Sequence, residues 1–600
     1  MKKGLWLIGF LFLVVAFAKA QNDTVVFSTR GGFYNEEFAL QLYNVNPQNH
    51  IRYTVNGNPP TAQSPLYVNS LWMDAGKYSI SNIYTINNTI PSLFWLPDHI
   101  QRAIVIRAAV FDENDNCVSQ VVTNSYFIRT LGCDFHGLPV LSIVTDSLSL
   151  FGYDTGIFVP GVNYDPADSV FTGNYWLKGI EWERQINMEF YEPDNSGINQ
   201  CCGLRIHGGA SRWFQQKGMK LYAREEYGNK CFFHRFFKES PVVKFKHLNL
   251  HPFRCSNWLH TGANEYLTQT IARQLDIDAM GVRQTVVFIN GEYWGVYTLE
   301  ESADEHYLKD HYNADLDSVT IIKYWGVPNY GDPTEWRAFL MRMLDADLTQ
   351  AEDSAFAFSH VDVPSFIDYM LLEIFGANLD WPSNNVKISQ MAPGAPFRWM
   401  LYDTDGCFTM PEYQAMQNAL SQNTNSVVFS RFLDNREFRF QFCKRYEELS
   451  RTYFSYDYMK SVLEQYRQMM QGEVEAQSKR FGFPWNMNKW LGDMERTDEF
   501  LRQRDQYFRE EIKDYLDIEE LDPVIMSCYP NPFFDEINIR IKEEWQGANC
   551  ISIYDMMGRQ VFSQFCPLTE GENTVSIHPK LAAGVYVMKA GGTIRRIVKY

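Results

Sequence analysis

Two short stretches carry the residue types from which a charge-handling site can be built. Asp380 and Asn385 stand five residues apart just after an apolar helical run through Phe366, Met370, Ile374 and Phe375. Asp403-Thr404-Asp405-Gly406 follows a strand, a Pro/Gly turn and a second strand, Phe397 to Tyr402. A carboxylate can take the proton of an attacking hydroxyl, while amide and carboxylate oxygens can hold Mg²⁺; moving a phosphoryl group is mostly such positioning and charge neutralisation. Taken singly, Asp403 and Asp405 equally suit a calcium loop or an Asx turn, and Asp380 a helix cap.

Such residues need elements to place them. Leu204-Arg205-Ile206-His207-Gly208-Gly209-Ala210-Ser211-Arg212 precedes Lys217-Gly218-Met219-Lys220-Leu221-Tyr222. A glycine turn between two strands offers backbone N–H groups to an anion, and a lysine on the next strand adds charge. Leu267, Ile271 and Leu275 recur every four residues and predict an amphipathic helix with Glu265 off the apolar stripe, where a glutamate is normally solvated. Val286 to Ile289, Asn290-Gly291 and Tyr293 to Leu299 predict a hairpin that runs into Glu300-Glu301 and Asp304. Glycine-and-lysine strand, glutamate helix, hairpin is the order of a kinase small lobe. The Asp380–Asn385 interval is that of Asp and Asn in H-R-D-x-x-x-x-N, and Asp403 stands where D-F-G would. Met459, Leu463, Tyr466 and Met470, then Phe500, Leu501, Phe508 and Ile512, predict packing helices further on.

The whole chain of 600 residues carries a net charge of −18, which excludes a nucleic-acid binder without a separate basic module. Its length predicts three or four domains, and its 11 cysteines, without a C-x-x-C pair, exclude a zinc ribbon or a dense disulfide framework. Lys2-Lys3, the apolar run Leu5 to Phe17 and Ala18-Lys19-Ala20 read as a secretory signal peptide cut before Gln21. No other stretch is apolar enough to span a bilayer, so no transmembrane segment is expected in the mature chain, and export permits disulfides to Cys201 or Cys202. Short alternating strands with Asn56-Gly57 as a turn predict an antiparallel sandwich in front, and Ile537, Ile539, Ile541, Ile551, Ile553, Val585 and Val587 predict an all-β module at the rear.

The wording of these segments resembles known families. Gly31-Gly32-Phe33-Tyr34, Ile51 to Gly57 and Pro59-Pro60-Thr61 resemble the C-terminal module of chitobiases and hexosaminidases. That resemblance implies a spacer or a glycan contact, since the module has no paired catalytic carboxylates. Tyr529-Pro530-Asn531-Pro532-Phe533, Ile553-Tyr554-Asp555 with Gly558-Arg559, Gly584-Val585-Tyr586 and Ile597 to Tyr600 resemble the type IX secretion C-terminal sorting domain. It implies dealings with that secretion machinery in a Bacteroidetes-like cell, removal of the domain, and release or surface attachment.

Arg205-x-x-Gly208-x-x-Ser211, Lys217-x-x-Lys220-Leu221, Asn290 to Tyr297, Glu301-x-x-Asp304, Asp380-Trp381 to Asn385 and Trp399 to Asp405 resemble the CotH kinase family of atypical protein kinases. The resemblance implies ATP and Mg²⁺ as cofactors and a protein Ser/Thr acceptor. It makes Asp380 the catalytic aspartate, Asn385 or its neighbour Asn384 a metal ligand, and Asp403, with Asp405, the D-F-G-like metal aspartate. Glu265 would partner the ATP-binding lysine, either Lys217 or Lys220, with Arg205, Ser211 and Glu301 also on the nucleotide side. Gln216-Lys217 and Tyr222 depart from the family's usual basic residues.

The expected architecture is multidomain: a signal peptide at 1–20, a β-sandwich at 21–132, an α+β atypical protein-kinase-like domain at 133–517 and a sorting domain at 524–600. Both flanking modules are expected to be all-β immunoglobulin-like sandwiches. The rival reading is a non-catalytic surface or adhesion protein using the kinase-like fold as a scaffold; a glycosidase using Asp380 and Asp403 is a third.

Overall fold

The computed structural model describes residues 23–74, 82–86, 89–90, 95–97, 100–129, 135, 137–253, 259–323, 326–421, 424–516, 526–529, 531–541, 550–566, 573–590 and 593–600. The expected signal peptide at 1–20 and the acidic segment 518–522 lie outside the described residues. The chain divides into one unit of residues 1–431 with 451–505, and another of 432–450 with 506–600.

The front module of the first unit is all-β. Ile104, Ile106, Ala108 and Val110 alternate along Ile104–Phe111 and share a core with Leu40, Met73, Tyr126 and Ile128. The expected antiparallel pattern is modified, because Gly32–Tyr34 pairs parallel with Val122–Ile128. A parallel pair needs a long crossover, and the rest of the module supplies it. Asn56-Gly57 closes no tight two-residue hairpin: His50–Thr54 pairs with Ile104–Phe111 on one edge and bridges to Leu66 on the other, across a longer loop that contains Asn56-Gly57. Gly57 has φ +83°, and a Cβ there would lie 2.3 Å from the Asn290 side chain, so the close approach of another turn requires glycine.

That other turn belongs to a closed barrel. Its strands run Arg184–Tyr191, Gly197–Ile206, Met219–Tyr222, His247–Pro252, Glu292–Glu301, Val282–Ile289 and Val140–Val144. The Val282–Glu301 hairpin turns at Asn290 and Gly291, with φ of 48° and 82°, as a two-residue type I′ turn demands. Leu221, Leu248, Leu250 and Leu299 face the apolar interior. By the two-residue period of a strand, Lys220, Asn249, His251 and Glu300 share the opposite face, and the register places Lys220 beside Asn249 and Asn249 beside Glu300.

Beyond the barrel, a five-stranded sheet is ordered Asp278–Ala279, Arg398–Leu401, Lys387–Gln390, Thr320–Lys323, Val327–Tyr330. The helix Val363–Phe375 is N-capped by Asp362, carries Pro364 in its first turn, and is buried along nearly its whole length. It lays Phe366 and Tyr369 against Trp399 of the sheet, at 4.3 and 6.4 Å between ring centroids. The predicted packing helices form as Tyr456–Met470 and Met487–Leu516. No helix among the described residues is long and apolar enough to cross a membrane.

The second unit holds the rear β module, a three-stranded and a four-stranded antiparallel sheet over one core of Phe533, Ile537, Ile539, Ile551, Ile553, Ile577, Met588 and Ile597. The eight cysteines for which the structure gives a thiol state, Cys201 and Cys202 included, are free.

The front module docks on the barrel through a buried carboxylate. Glu189 accepts hydrogen bonds from the Ser125 backbone N–H and hydroxyl, the Tyr191 hydroxyl and the Asn199 amide. Burial outweighs these bonds and the nearby Arg107, and pushes the carboxyl up to about 7. Its folded value lies above its unfolded value of 4.5, so stability present below the latter is lost as pH rises through about 7. Thermal melting between pH 4.5 and 8 should therefore fall more steeply for the native chain than for Glu189→Gln; parallel curves would contradict this.

Candidate active site

The helix Asn264–Ala272 is short and buries its polar residues as well as Leu267 and Ile271. The expected amphipathic stripe is therefore corrected: Glu265 is only 3% exposed and Leu275 lies past the helix end. The reason is that each polar side chain grips another segment. Asn264 Nδ2 donates to the carbonyls of Asp405 (2.8 Å) and Cys407 (2.7 Å). Glu265 Oε2 accepts from Thr404 N (2.5 Å) and Oγ1 (2.9 Å). Gln269 Nε2 braces Glu265 Oε1 at 2.9 Å and the Leu401 carbonyl at 3.1 Å.

The turn so held presents Asp403 with φ +57° and faces a loop with Asn385 at φ +56°. Both types tolerate the left-handed region; Ala377 (φ 51°) and Phe408 (φ 58°) do so at a cost of about 1–3 kcal/mol each, so the loop holds strain. Asn385 Nδ2 bridges Asp380 Oδ2 (3.1 Å) and the Asp403 carbonyl (3.0 Å), and Asn384 Nδ2 reaches Asp380 Oδ2 at 3.2 Å. Asp380 N donates to Asn378 Oδ1 at 3.1 Å. Asp380, Asn384, Asn385 and Asp403 are thus brought together in one loop cluster.

A histidine that the sequence reading passed over completes the carboxylate side. His251 Nε2 lies 3.7 Å from Asp403 Oδ1, and its Nδ1 lies 3.6 Å from Glu300 Oε1. One ligand atom each from His251, Asp403 and Asp405 fall within 4.8 Å of one another. Burial alone would pull the imidazole down, but Glu300, Asp403, Asp405 and Glu265 together push it up to about 9. Asp403, with its side chain 42% exposed, is held above the usual carboxyl range by desolvation and by Glu265 and Asp380, against His251. Glu300 is pushed well up by burial. Its Oε1 and Asn249 Oδ1 are buried without a hydrogen bond. Oxygen donors in excess of positive charge suit a divalent cation, and a proton on His251 neutralises the same group.

The lysines separate. Lys217 is wholly buried, donates to the Arg212 and Phe214 carbonyls at 2.9 Å each, and lies 4.1 Å over the Tyr175 ring. Burial holds its pKa well below the usual lysine value. Lys220 Nζ donates to Ser302 Oγ (2.5 Å) and Asp304 Oδ2 (3.1 Å), and His247 Nδ1 lies 2.8 Å from the same oxygen. Asp304 thus stands in the partner's place expected of Glu265. Lys387 donates to the Ala303 carbonyl and sits 4.3 Å over Tyr402; burial first, then Lys220, brings it down to about 7.

The remaining expected nucleotide residues are engaged locally. Arg205 pairs with Glu183 at 2.7 Å and stacks 4.4 Å over Tyr222. Glu301 accepts from Gly281 N and pairs with His311 at 2.9 Å. Ser211 is buried in the loop at Gly208, whose φ is +101°.

A barrel, a mixed helix-and-sheet lobe and a loop cluster of carboxylates and amides define a kinase-like α+β region, preceded and followed along the sequence by all-β modules. The CotH kinase protein family matches residues 204–508, and the chain belongs to that family. The secretion system C-terminal sorting domain matches residues 527–599, and the chitobiase/beta-hexosaminidase C-terminal domain matches 29–123. No curated protein matches the chain. Two similar solved structures are a "crystal structure of the golgi casein kinase" and the "Golgi casein kinase with Mn/ADP bound". The first is 10% identical with TM-score 0.22 over 54% of this chain and 69% of that one. The second is 10% identical with TM-score 0.21 over 56% and 72%.

Lys217→Met leaves one buried and one part-buried carbonyl oxygen without this donor, at up to about 1–3 kcal/mol each. Urea unfolding should show a loss of about 2–5 kcal/mol; an unchanged midpoint would contradict the structural role of this lysine.

Proposed function

We propose that the chain is an exported protein kinase that moves the γ-phosphoryl group of ATP to Ser or Thr hydroxyls of an extracytoplasmic protein. The observation that carries this reading is the Asn385 amide joining Asp380 to the Asp403 backbone, on the same site as Lys220 and Lys387. The acceptor oxygen bonds to the γ-phosphorus as the bond to the β,γ-bridging oxygen breaks; ADP leaves and the hydroxyl proton passes to Asp380. Asp403, Asp405 and the side-chain oxygen of Asn385 or Asn384 would hold Mg²⁺. When bound, it neutralises the phosphate oxygens. Lys220, released from Asp304, or Lys387 binds the phosphates. Arg205, Ser211 and Glu301 support the strands and loop around them.

The flanks serve as immunoglobulin-like sandwiches. The front one is a spacer that can touch glycans, and the rear one hands the chain to the type IX secretion machinery, after a leader at 1–20, for release or surface attachment.

Purified chain with Mg²⁺ and labelled ATP should label itself or an acceptor protein. Asp380→Asn should lower kcat by about 10²–10⁴-fold with nucleotide still bound, and Asp403→Asn should abolish both transfer and metal-dependent nucleotide binding. A native chain that neither binds nucleotide nor transfers phosphate would favour the scaffold reading instead.

A further inference from the structure

The carboxylate side of the site contains more than a phosphoryl-transfer centre needs. His251 projects from the barrel strand His247–Pro252, far in sequence from Asp403 and Asp405, yet its Nε2 is the ring nitrogen turned toward Asp403 Oδ1. The other nitrogen, Nδ1, is turned toward Glu300 Oε1 on the neighbouring strand. Glu300 Oε1 is buried and accepts no hydrogen bond at the 3.6 Å separation. Unpaired buried oxygens are costly, so this atom is matched to a donor that sharpens when the site is filled.

A metal-bound imidazole has that requirement. It binds through one nitrogen as the neutral base and donates the N–H of the other to a carboxylate, which fixes the ring and raises its basicity. Glu300, His251 and the Asp403–Asp405 pair stand in that order. One candidate ligand atom each from His251, Asp403 and Asp405 lie within 4.8 Å of one another, a spacing one cation can span with small side-chain adjustment.

We propose that His251 is a ligand of the cation held by Asp403 and Asp405, through Nε2, with Glu300 accepting its Nδ1–H, and that this imidazole makes the centre select Mn²⁺ over Mg²⁺. The chemistry is that of ligand softness. Mg²⁺ demands a near-ideal all-oxygen octahedron and dehydrates reluctantly, whereas Mn²⁺ accepts the same carboxylates and, as a first-row transition ion, tolerates one imidazole nitrogen beside them. The inference rests on the metal role given to Asp403 above but not on phosphoryl transfer itself.

The test uses the full chain and Mn²⁺ alone as the probe, without nucleotide or acceptor. Electron spin-echo modulation of bound Mn²⁺ should show a directly coordinated ¹⁴N, and that signal should vanish in His251→Leu. Competition titration should give Mn²⁺ an affinity at least about tenfold above that of Mg²⁺ in the native chain. In His251→Leu that ratio should collapse toward unity, with Mg²⁺ binding changed less than about threefold. Glu300→Gln, which keeps shape but offers the Nδ1–H a weaker acceptor, should weaken Mn²⁺ by about tenfold or more.

Absence of the nitrogen modulation in the native chain would overturn the assignment, even should His251→Leu fail to fold. So would an unchanged Mn²⁺ to Mg²⁺ ratio in a folded His251→Leu. A chain that shows the nitrogen-coordinated Mn²⁺ but transfers no phosphate upholds this inference while overturning the kinase reading.

Discussion

The hydrogen bonds from Thr404 N and Oγ1 to the buried Glu265 carboxylate hold the centre of this molecule together. They tie the helix Asn264–Ala272 to the turn that presents Asp403. With Asn264 taking the carbonyls of Asp405 and Cys407, they fix the backbone on both sides of that aspartate. The left-handed Ala377 and Phe408 are tolerable only in a frame of this kind, because unfavourable backbone conformations persist where surrounding contacts over-determine them. From the other side Asn385 spans the Asp403 carbonyl and the Asp380 carboxylate, so the spacing of the two aspartates follows from one amide.

Charge is divided within this frame. Asp403, Asp405, Glu300 and Glu265 surround one imidazole, while Lys220 and Lys387 lie by Asp304 and the Ala303 carbonyl. Lys220 is held by Asp304 and His247 rather than aimed outward, so a phosphate would have to replace Asp304 as its partner. A share of the acidic residues behind the net charge of −18 thus converges around His251.

Much of this frame was legible where the signal is local. Asn290-Gly291 can make only a narrow range of turns, so the hairpin was readable from it. The helix Val363–Phe375 has an N-cap, an early proline and an apolar run, and the Asp380–Asn385 interval closes within one loop. What the sequence hid was long-range. Lys217 and Lys220 read alike along the chain, and only the fold shows one ammonium capped by two carbonyls and the other by Asp304. Glu265 sits on a helix enclosed on all sides, where periodicity cannot tell a solvated residue from a buried anchor. His251 did leave a trace: His247-Leu248-Asn249-Leu250-His251 alternates strictly, marking a strand with a polar face. The parallel pairing of Gly32–Tyr34 left none, since its partner lies some 90 residues on.

Crystals grown with Mn²⁺ and a non-hydrolysable ATP analogue, measured at the manganese absorption edge, test the central claim most directly. The account predicts an anomalous peak within ligand distance of Asp403, Asp405 and His251 Nε2, with the triphosphate running from it toward Lys220 and Lys387. A saturated crystal with no peak beside Asp403, or with its manganese elsewhere on the chain, would contradict it.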